Sequence, residues 1–375
     1  MWSYWEQEYF IGKVDLLVIG SGIVGLSAAI EYAKANPQAK ITVLEAGVLP
    51  SGASTKNAGF ACYGSPTELL HDLSQESEEQ VITRVKKRIK GLENLKSLLG
   101  EGNIGYENHG SYELFGSTQQ DSFESTLSRL ETLNKTLRNT LGFDPYHRDD
   151  QIVSSSGFQH TIGAISIQGE AQINTGLMMK NLIQLAQSLN IQIWNGIKVE
   201  SMEESNSNIN INTVQGTISA QKCIVATNGF AKQLLPELDV KPARAQVLIT
   251  QPIPNLKFKG TYHLDEGYYY FRNVGNRVLL GGGRNLDFEG ETTYDMALNP
   301  HIQNQLDRLL CDQILPGTTY EIDQRWSGIM GTGQTREIIL KTLSPHLIVA
   351  VRLGGMGIAI GSLIGREAAQ LTQTG

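Results

Sequence analysis

The chain has 375 residues, 40% apolar and 18% charged, with a formal net charge of −7 and a pI near 5.6. That length exceeds one ordinary hydrophobic core and predicts two domains. The acidic balance excludes a nucleic-acid surface, because no basic stripe is present to displace counterions.

In chain order, residues 1–10 (MWSYWEQEYF) carry acids and lack both a basic start and a long apolar core, so they are not read as a signal peptide. The run Val14 to Gly20 reads as a buried strand and leads into Ser21-Gly22-Ile23-Val24-Gly25, completing a GxGxxG turn. Gly20 permits the tight turn, Gly22 lets backbone N–H groups approach a pyrophosphate, and Gly25 allows close helix–strand packing. The N-terminus of the helix that follows supplies partial positive charge to phosphates. Glu45, 25 residues after Gly20, closes the next apolar run. A carboxylate there accepts the two hydroxyls of an adenosine ribose and repels a 2′-phosphate, so NADP is disfavoured. The plain alternative is a glycine-rich turn without a ligand. The strand before, the helix after and the acid in place count against it.

A polar stretch from Ser51 to Ser65 follows, then helical segments over 74–99 and 119–141 flanking a strand-like piece, Tyr112 to Phe115. The basic run from Arg84 to Lys90, preceded by Glu76, Glu78 and Glu79, reads as a solvated helix face with i,i+4 pairing. Strand patterns resume at 162–167, and apolar residues at helical spacing (Leu177, Met178, Leu182, Ile183, Leu185, Ala186) predict a helix over 175–189. Short strands are expected at 191–194, 209–214 and 222–226, with an exposed strand and hairpin in the Ile-Asn alternation of 201–212. The last strand enters the turn Thr227-Asn228-Gly229. From Arg244 to Gly283 the alternation is β-like and places Tyr268, Tyr270 and Arg272 on one face and Tyr269 and Phe271 on the other. Residues 299–311 read as helix, 319–329 as extended and 347–351 as a strand. A turn at 354–357 and a helix at 362–371 complete the chain.

Only 347–364 resembles a membrane span, with GxxxG spacing at Gly357, Gly361 and Gly365. Arg352 and Gly354-Gly355 interrupt it, so no transmembrane segment is expected. Cys62, Cys223 and Cys311 are scattered without a CxxC, which fits a reducing compartment, and the cytoplasm is expected. The seven histidines form no HxH or HExxH pair, and no metal is expected.

Joined by GASTKNAG at 52–59, ATNG at 226–229, QRWSG at 324–328 and GGMGIAIG at 354–361, the chain resembles the FAD-dependent amino acid and amine oxidase superfamily over nearly its whole length. That family includes glycine oxidase, sarcosine oxidase, D-amino acid oxidase and gamma-glutamylputrescine oxidase. The resemblance implies an α/β protein in which a Rossmann-type FAD-binding domain interleaves with a smaller α+β substrate domain built on an antiparallel sheet. The FAD-binding domain is expected at 1–75, 150–240 and 325–375, and the substrate domain at 76–149 and 241–324.

By the same resemblance, Gly20, Gly22 and Gly25 hold the pyrophosphate of FAD and Glu45 its ribose. Ser54, Lys56 and Asn57 line the diphosphate and approach the isoalloxazine edge, and Val199 pairs its backbone with adenine. Gly355, Met356, Gly357 and Ile358 bring N–H groups and a helix end to the flavin N1/O2 edge, where reduced flavin is anionic. Ile23, Val24, Ala46, Ala58, Ala226, Thr227 and Gly229 complete the expected cofactor set. Cys311 lacks the surroundings seen in covalently flavinylated relatives, which favours a non-covalent cofactor.

The implied activity takes hydride from the C–H beside an amine nitrogen to flavin N5 and leaves an imine that water hydrolyses. The C–H is expected about 3–3.5 Å from N5. The partner is then a small-molecule amine or amino acid, and the electron acceptor is oxygen or one not specified. Tyr268, Tyr270 and Arg272 are the candidate catalytic residues, since Tyr268 matches a tyrosine that borders substrate in glycine oxidase-like members. Tyrosines that simply pack a strand are the alternative.

Two departures stand out. Many members carry a carboxylate-gripping arginine where this chain has Met330, and glycine oxidase has a second where this chain has Gly355. The substrate is then either an amine lacking a simple α-carboxylate or one held by a different arginine; Arg244, Arg272, Arg284 and Arg325 are unranked candidates, with Arg352 nearby. Two further readings stay open. One is an FAD-dependent 2-hydroxy acid dehydrogenase with His263 as base. The other is a non-catalytic flavin-binding protein.

Overall fold

The computed structural model describes residues 2–373. Apolar runs without alternation, Val14–Ile19, Ile41–Glu45 and Leu347–Val351, form strands buried on both faces. They belong to the first of two large sheets, ordered Ile339–Ser344, Leu347–Val351, Gly216–Val225, Val14–Ile19, Ile41–Glu45 and Gln192–Asn195. From Leu347–Val351 onward in that order the neighbours run parallel. Strand Ile209–Thr213 pairs antiparallel with residues 216–220, and Val199–Glu204 pairs antiparallel with Ile209–Thr213. Helices Ile23–Ala35, Thr175–Ser188 and Gly357–Leu371 bury their apolar residues against Leu16 and Val18 on one face, and the hairpin packs against Val14 and Leu17 on the other. This is the Rossmann-type half.

The second sheet is ordered Ile322–Thr332, Lys241–Thr250, Arg277–Gly282, Tyr269–Val274, Thr261–Leu264, Ser111–Gly116, Thr161–Ile167 and Tyr146–Arg148. It is antiparallel except where Thr261–Leu264 meets Ser111–Gly116. One face packs Tyr262, Phe271 and Leu280 against helix Pro300–Leu309, with the rings of Tyr262 and Phe271 stacked 4.6 Å apart. The other packs Phe115 and Ile165 against helix Gln120–Leu141.

Sheet membership differs from the expected domain boundaries. Strand Thr161–Ile167 pairs within the second sheet, although 150–240 was assigned to the nucleotide half. The boundary expected at 325 falls inside Ile322–Thr332, which pairs along its length with Lys241–Thr250. Helix Glu78–Leu99, expected with the second domain, packs on the C-terminal helix of the first. There Ser362 Oγ donates to the Gly91 carbonyl at 2.8 Å and Arg366 to Asn94 Oδ1 at 2.7 Å.

The expected helix over 74–99 is two helices, Pro66–Gln75 and Glu78–Leu99. A reciprocal Ser77–Gln80 capping box starts the second, closing off the first turn's free N–H groups. The last helix begins at Gly357 rather than at 362, because its glycines face a neighbouring helix instead of a turn. At Gly365 a Cβ would lie 2.5 Å from the Val24 carbonyl oxygen, so the small-residue stripe is the seam between the first and last helices. Among the described residues no helix is long and apolar enough to cross a membrane.

Candidate active site

A cavity of about 1360 Å³ is lined from both sheets, larger than a usual small-ligand pocket and roomy enough for a dinucleotide and a small molecule together. Of the expected cofactor residues, all but Gly25 and Gly229 line it. Those two pack behind the wall. A Cβ on Gly25 would overlap the Gly20 carbonyl oxygen, and one on Gly229 would sit 2.5 Å from that of Met330.

Two helix N-termini open on the cavity. The first begins after Gly22 and the last after Met356, and neither capping residue offers a side-chain hydrogen bond. Ser54 Oγ instead accepts from the Ile23 N–H at 3.0 Å, tying the polar loop to the first helix. The buried Thr227 hydroxyl, also in the wall, has no hydrogen-bond partner. Helix ends without caps, an orphaned hydroxyl and a glycine turn that excludes side chains suit an anionic pyrophosphate and the electron-rich edge of a flavin. The residues fit FAD.

Glu45 has a second employment. Its Oε2 accepts from the Ser21 N–H at 3.2 Å and hydroxyl at 2.7 Å. Its Oε1 accepts from the Gly47 N–H at 2.9 Å and the Ser51 hydroxyl at 2.8 Å. The carboxylate therefore fixes the loop after the second strand as well as lining the cavity. Asn57 is turned into its own loop: Nδ2 donates to the Ala53 and Ser54 carbonyls, and Oδ1 accepts from Gly59 N–H at 2.8 Å and the Thr175 hydroxyl at 2.9 Å. The Lys56 carbonyl accepts from Trp326 Nε1 at 2.9 Å, which joins the QRWSG strand to the GASTKNAG loop.

At the other end lie Tyr268 and Tyr270. Tyr270 is in the strand, packed edge-on to Phe60 at 5.6 Å, and burial pushes its hydroxyl up to about 12. Tyr268 precedes the strand, which starts at Tyr269, and is 40% exposed beside Phe288. Arg272 does not line the cavity. It is buried behind Gly59, makes no hydrogen bond, and burial lowers its guanidinium to about 10. The structure thus brings Tyr268 and Tyr270 to the candidate site and leaves Arg272 outside its wall.

The arginines can now be ranked. Arg244 is clamped by Glu291 through bonds of 2.8 and 2.7 Å, and Arg325 by Gln303 and Asp307, each at 2.7 Å. Neither lines the cavity. Arg352 lines it but is engaged by Asp239 at 2.6 Å and the Glu337 carbonyl at 2.6 Å. Arg284 lines it and makes no hydrogen bond or ion pair among the described residues. Met330 and Gly355, the two departures, are neighbours: a Cβ on Gly355 would lie 3.9 Å from the Met330 sulfur.

His263 reaches the wall with a carboxylate behind it. Its Nε2 is 3.4 Å from Glu170 Oε2, and its ring meets Phe60 edge-on at 5.2 Å. Glu170 is wholly buried and accepts from the N–H groups of Tyr63 and Gly64 and the Ser111 hydroxyl. Burial opposes charge on the imidazole, but Glu170 and then Glu113 outweigh it and raise its pKa. Sequence reasoning missed Cys62, Glu68, His71, Phe288 and Tyr294, which also line the cavity. Nothing local marks them: Glu68 and His71 share helix Pro66–Gln75, and Cys62, Phe288 and Tyr294 come from loops. Among the described residues no cluster of three metal-ligating side chains occurs.

A family model described as FAD dependent oxidoreductase matches residues 15–371. A probable oxidoreductase OrdL of Rhizobium meliloti (strain 1021) is 23% identical over 96% of this chain and 83% of its own length. Among solved structures, L-proline dehydrogenase from P. horikoshii superposes with a TM-score of 0.77 at 18% identity, covering 96% of this chain and 93% of that one. Glycine oxidase from Geobacillus kaustophilus superposes with a TM-score of 0.77 at 20% identity, covering 96% and 95%. At those identities the superpositions speak for the fold.

Proposed function

The chain belongs to the FAD-dependent oxidoreductase family, and from that premise we propose that it oxidises the C–H beside the nitrogen of a small-molecule amine or amino acid to the imine. The observation that carries the reading is the single cavity that joins a dinucleotide cradle to a wall of tyrosines on a second sheet. Two similar structures bear names of enzymes acting on amines, glycine and L-proline. FAD, when bound, supplies the two-electron acceptor.

In this reading the turn from Gly20 to Gly25 and the first helix end hold the pyrophosphate, Glu45 the ribose, and the 356–358 helix end the flavin's pyrimidine edge. Tyr270, Phe60 and Met330 exclude water from the reacting carbon. The first sheet serves the nucleotide and the second the substrate. The cofactor is held without a covalent bond: burial and then Glu170 raise the thiol pKa of cavity-lining Cys62, a poor nucleophile. A cytoplasmic setting fits three cysteines that form no disulfide.

A second reading, oxidation of a 2-hydroxy acid, rests on His263. An imidazole backed by a buried carboxylate is the arrangement that accepts a hydroxyl proton. Glu170 raises the imidazole pKa, so the base form of His263 requires a higher pH than that of a free histidine.

Anaerobic mixing of the holoenzyme with matched panels of amines, amino acids and 2-hydroxy acids separates the readings. Loss of the visible flavin band with amines is expected. Loss with hydroxy acids alone would sink the amine reading, and no loss with any compound would leave a binding protein.

A further inference from the structure

We propose that Arg284 is an anion anchor at the open end of the cavity, so that the substrate is an amine carrying a carboxylate seated there. The inference deepens the amine-oxidation reading and rests on it.

Four arginines line the cavity, and three are engaged by protein groups. Arg88 donates to the Tyr63 carbonyl at 2.6 Å and Glu68 at 3.1 Å, Arg336 pairs with Asp72 at 2.5 Å, and Arg352 with Asp239 at 2.6 Å. Arg284 has no such partner, although acids surround it in the chain. Asp265 accepts from Asn285 at 3.3 Å, and Asp287 from the Gly290 N–H at 2.9 Å and Asn299 at 3.1 Å. Glu291 is wholly buried and taken by Arg244, Gln246 and Asn299. Each of these three carboxylates already answers another donor, and Glu291 acts on Arg284 only through space. The guanidinium is left as a cation whose Nε is buried and unpaired, a costly state that a bound anion relieves.

Position gives the ligand its shape. Arg284 follows the strand Arg277–Gly282 that borders Tyr270, and its guanidinium carbon lies 4.9 Å from the centre of the Phe288 ring. Phe288 is 46% exposed and packs edge-on to Tyr268, which marks this as the cavity mouth. The Phe230–Tyr294 stack also lines the cavity. At Met330 and Gly355 the wall offers a thioether and a bare backbone, which give a carboxylate no cationic partner. The cavity therefore presents a neutral wall at one place and an unpaired guanidinium framed by aromatic rings at another. A carboxylate held by Arg284, with an apolar body against the rings, matches that arrangement.

The test uses FAD-loaded enzyme and two readouts. In the first, acetate, phenylacetate and succinate are titrated against acetamide, phenylacetamide and succinamide, and Kd is read from the flavin band and checked by calorimetry. At least one carboxylate is expected to bind tenfold or more tightly than its amide. Arg284→Met is expected to erase that preference, Arg284→Lys to keep part of it, and Arg325→Met, outside the cavity, to keep all of it. Flavin content and melting temperature of each variant show whether it folds, and Arg284→Gln stands in if Arg284→Met does not.

The second readout is anaerobic flavin reduction by N-benzylglycine against N-benzylglycinamide, where Arg284→Met should remove a preference for the acid. A carboxylate preference that survives in Arg284→Met, or none in the wild type, overturns the anchor. If amines reduce the flavin and Arg284→Met changes nothing, the anchor fails and the amine reading stands. If the carboxylate preference depends on Arg284 but no amine reduces the flavin, the amine reading fails and the anchor stands.

Discussion

Glu45 and His263 show how a side chain in this cavity carries two duties. Because Glu45 also holds Ser21, Gly47 and Ser51, replacing it affects both the loop and the ribose position. Glu45→Gln keeps the shape and removes the charge. It is expected to weaken FAD about tenfold or more, since hydrogen bonds to a charged group contribute about 1.5–3 kcal/mol. Flavin retained after gel filtration is the measurement, and unchanged retention would refute the placement.

His263 makes a prediction about pH. Its folded pKa is raised, so its contribution to stability is complete below about pH 6.5 and fades as pH climbs through the folded value. The pKa of Glu170 is lowered, burial opposing and His263 then outweighing it, so its contribution holds above about pH 4.5 and fades as pH falls. The stability gap between wild type and His263→Gln, from urea unfolding, should be widest between those limits and shrink in alkali. A gap that goes on growing as pH rises above about 6.5 would be inconsistent with the pair. Motif residues were legible because their chemistry is local, as in GxGxxG. The arginines were not, because their partners are distant: Arg244 meets Glu291, and Arg352 meets Asp239 more than a hundred residues away.

Elements repeat the lesson. The strand–turn–helix opening was readable from period and punctuation, but the glycines of the last helix look like a turn until their neighbour is seen. Their absent side chains let that helix press on Ile23–Ala35, and so fix the two N-termini relative to each other. Gly365→Leu is expected to destabilise by about 1–3 kcal/mol through overpacking. It should also lower FAD affinity, because one helix end moves away from the other. Gly102→Ala, where a Cβ meets nothing within 4 Å, is the matched control and should do neither. Helix Glu78–Leu99 serves both halves, Val81 and Val85 packing with Phe115 and Ile165 and Leu95 with the first and last helices, which its charge and amphipathic pattern do not say.

Across the whole molecule, the cavity wall is the place where both sheets contribute to one ligand. FAD at a thousandfold excess over its Kd should stabilise the fold by about 4 kcal/mol. Because residues of both halves line the cavity, calorimetry should show one transition with FAD and broader or separate transitions without it. Identical profiles in the two states would argue that the halves are coupled without the cofactor.

The order in which the strands sit has a consequence for biosynthesis. Leu347–Val351 lies directly beside Gly216–Val225, and the helix after it packs on the first helix of the chain. A nascent chain whose last strand and helix are still inside the ribosome has an unfilled edge on its nucleotide sheet and only one of two helix ends. Cofactor capture therefore waits until that strand and helix have emerged, and a chain cut after Thr332 should be without flavin however much of the glycine turn it carries.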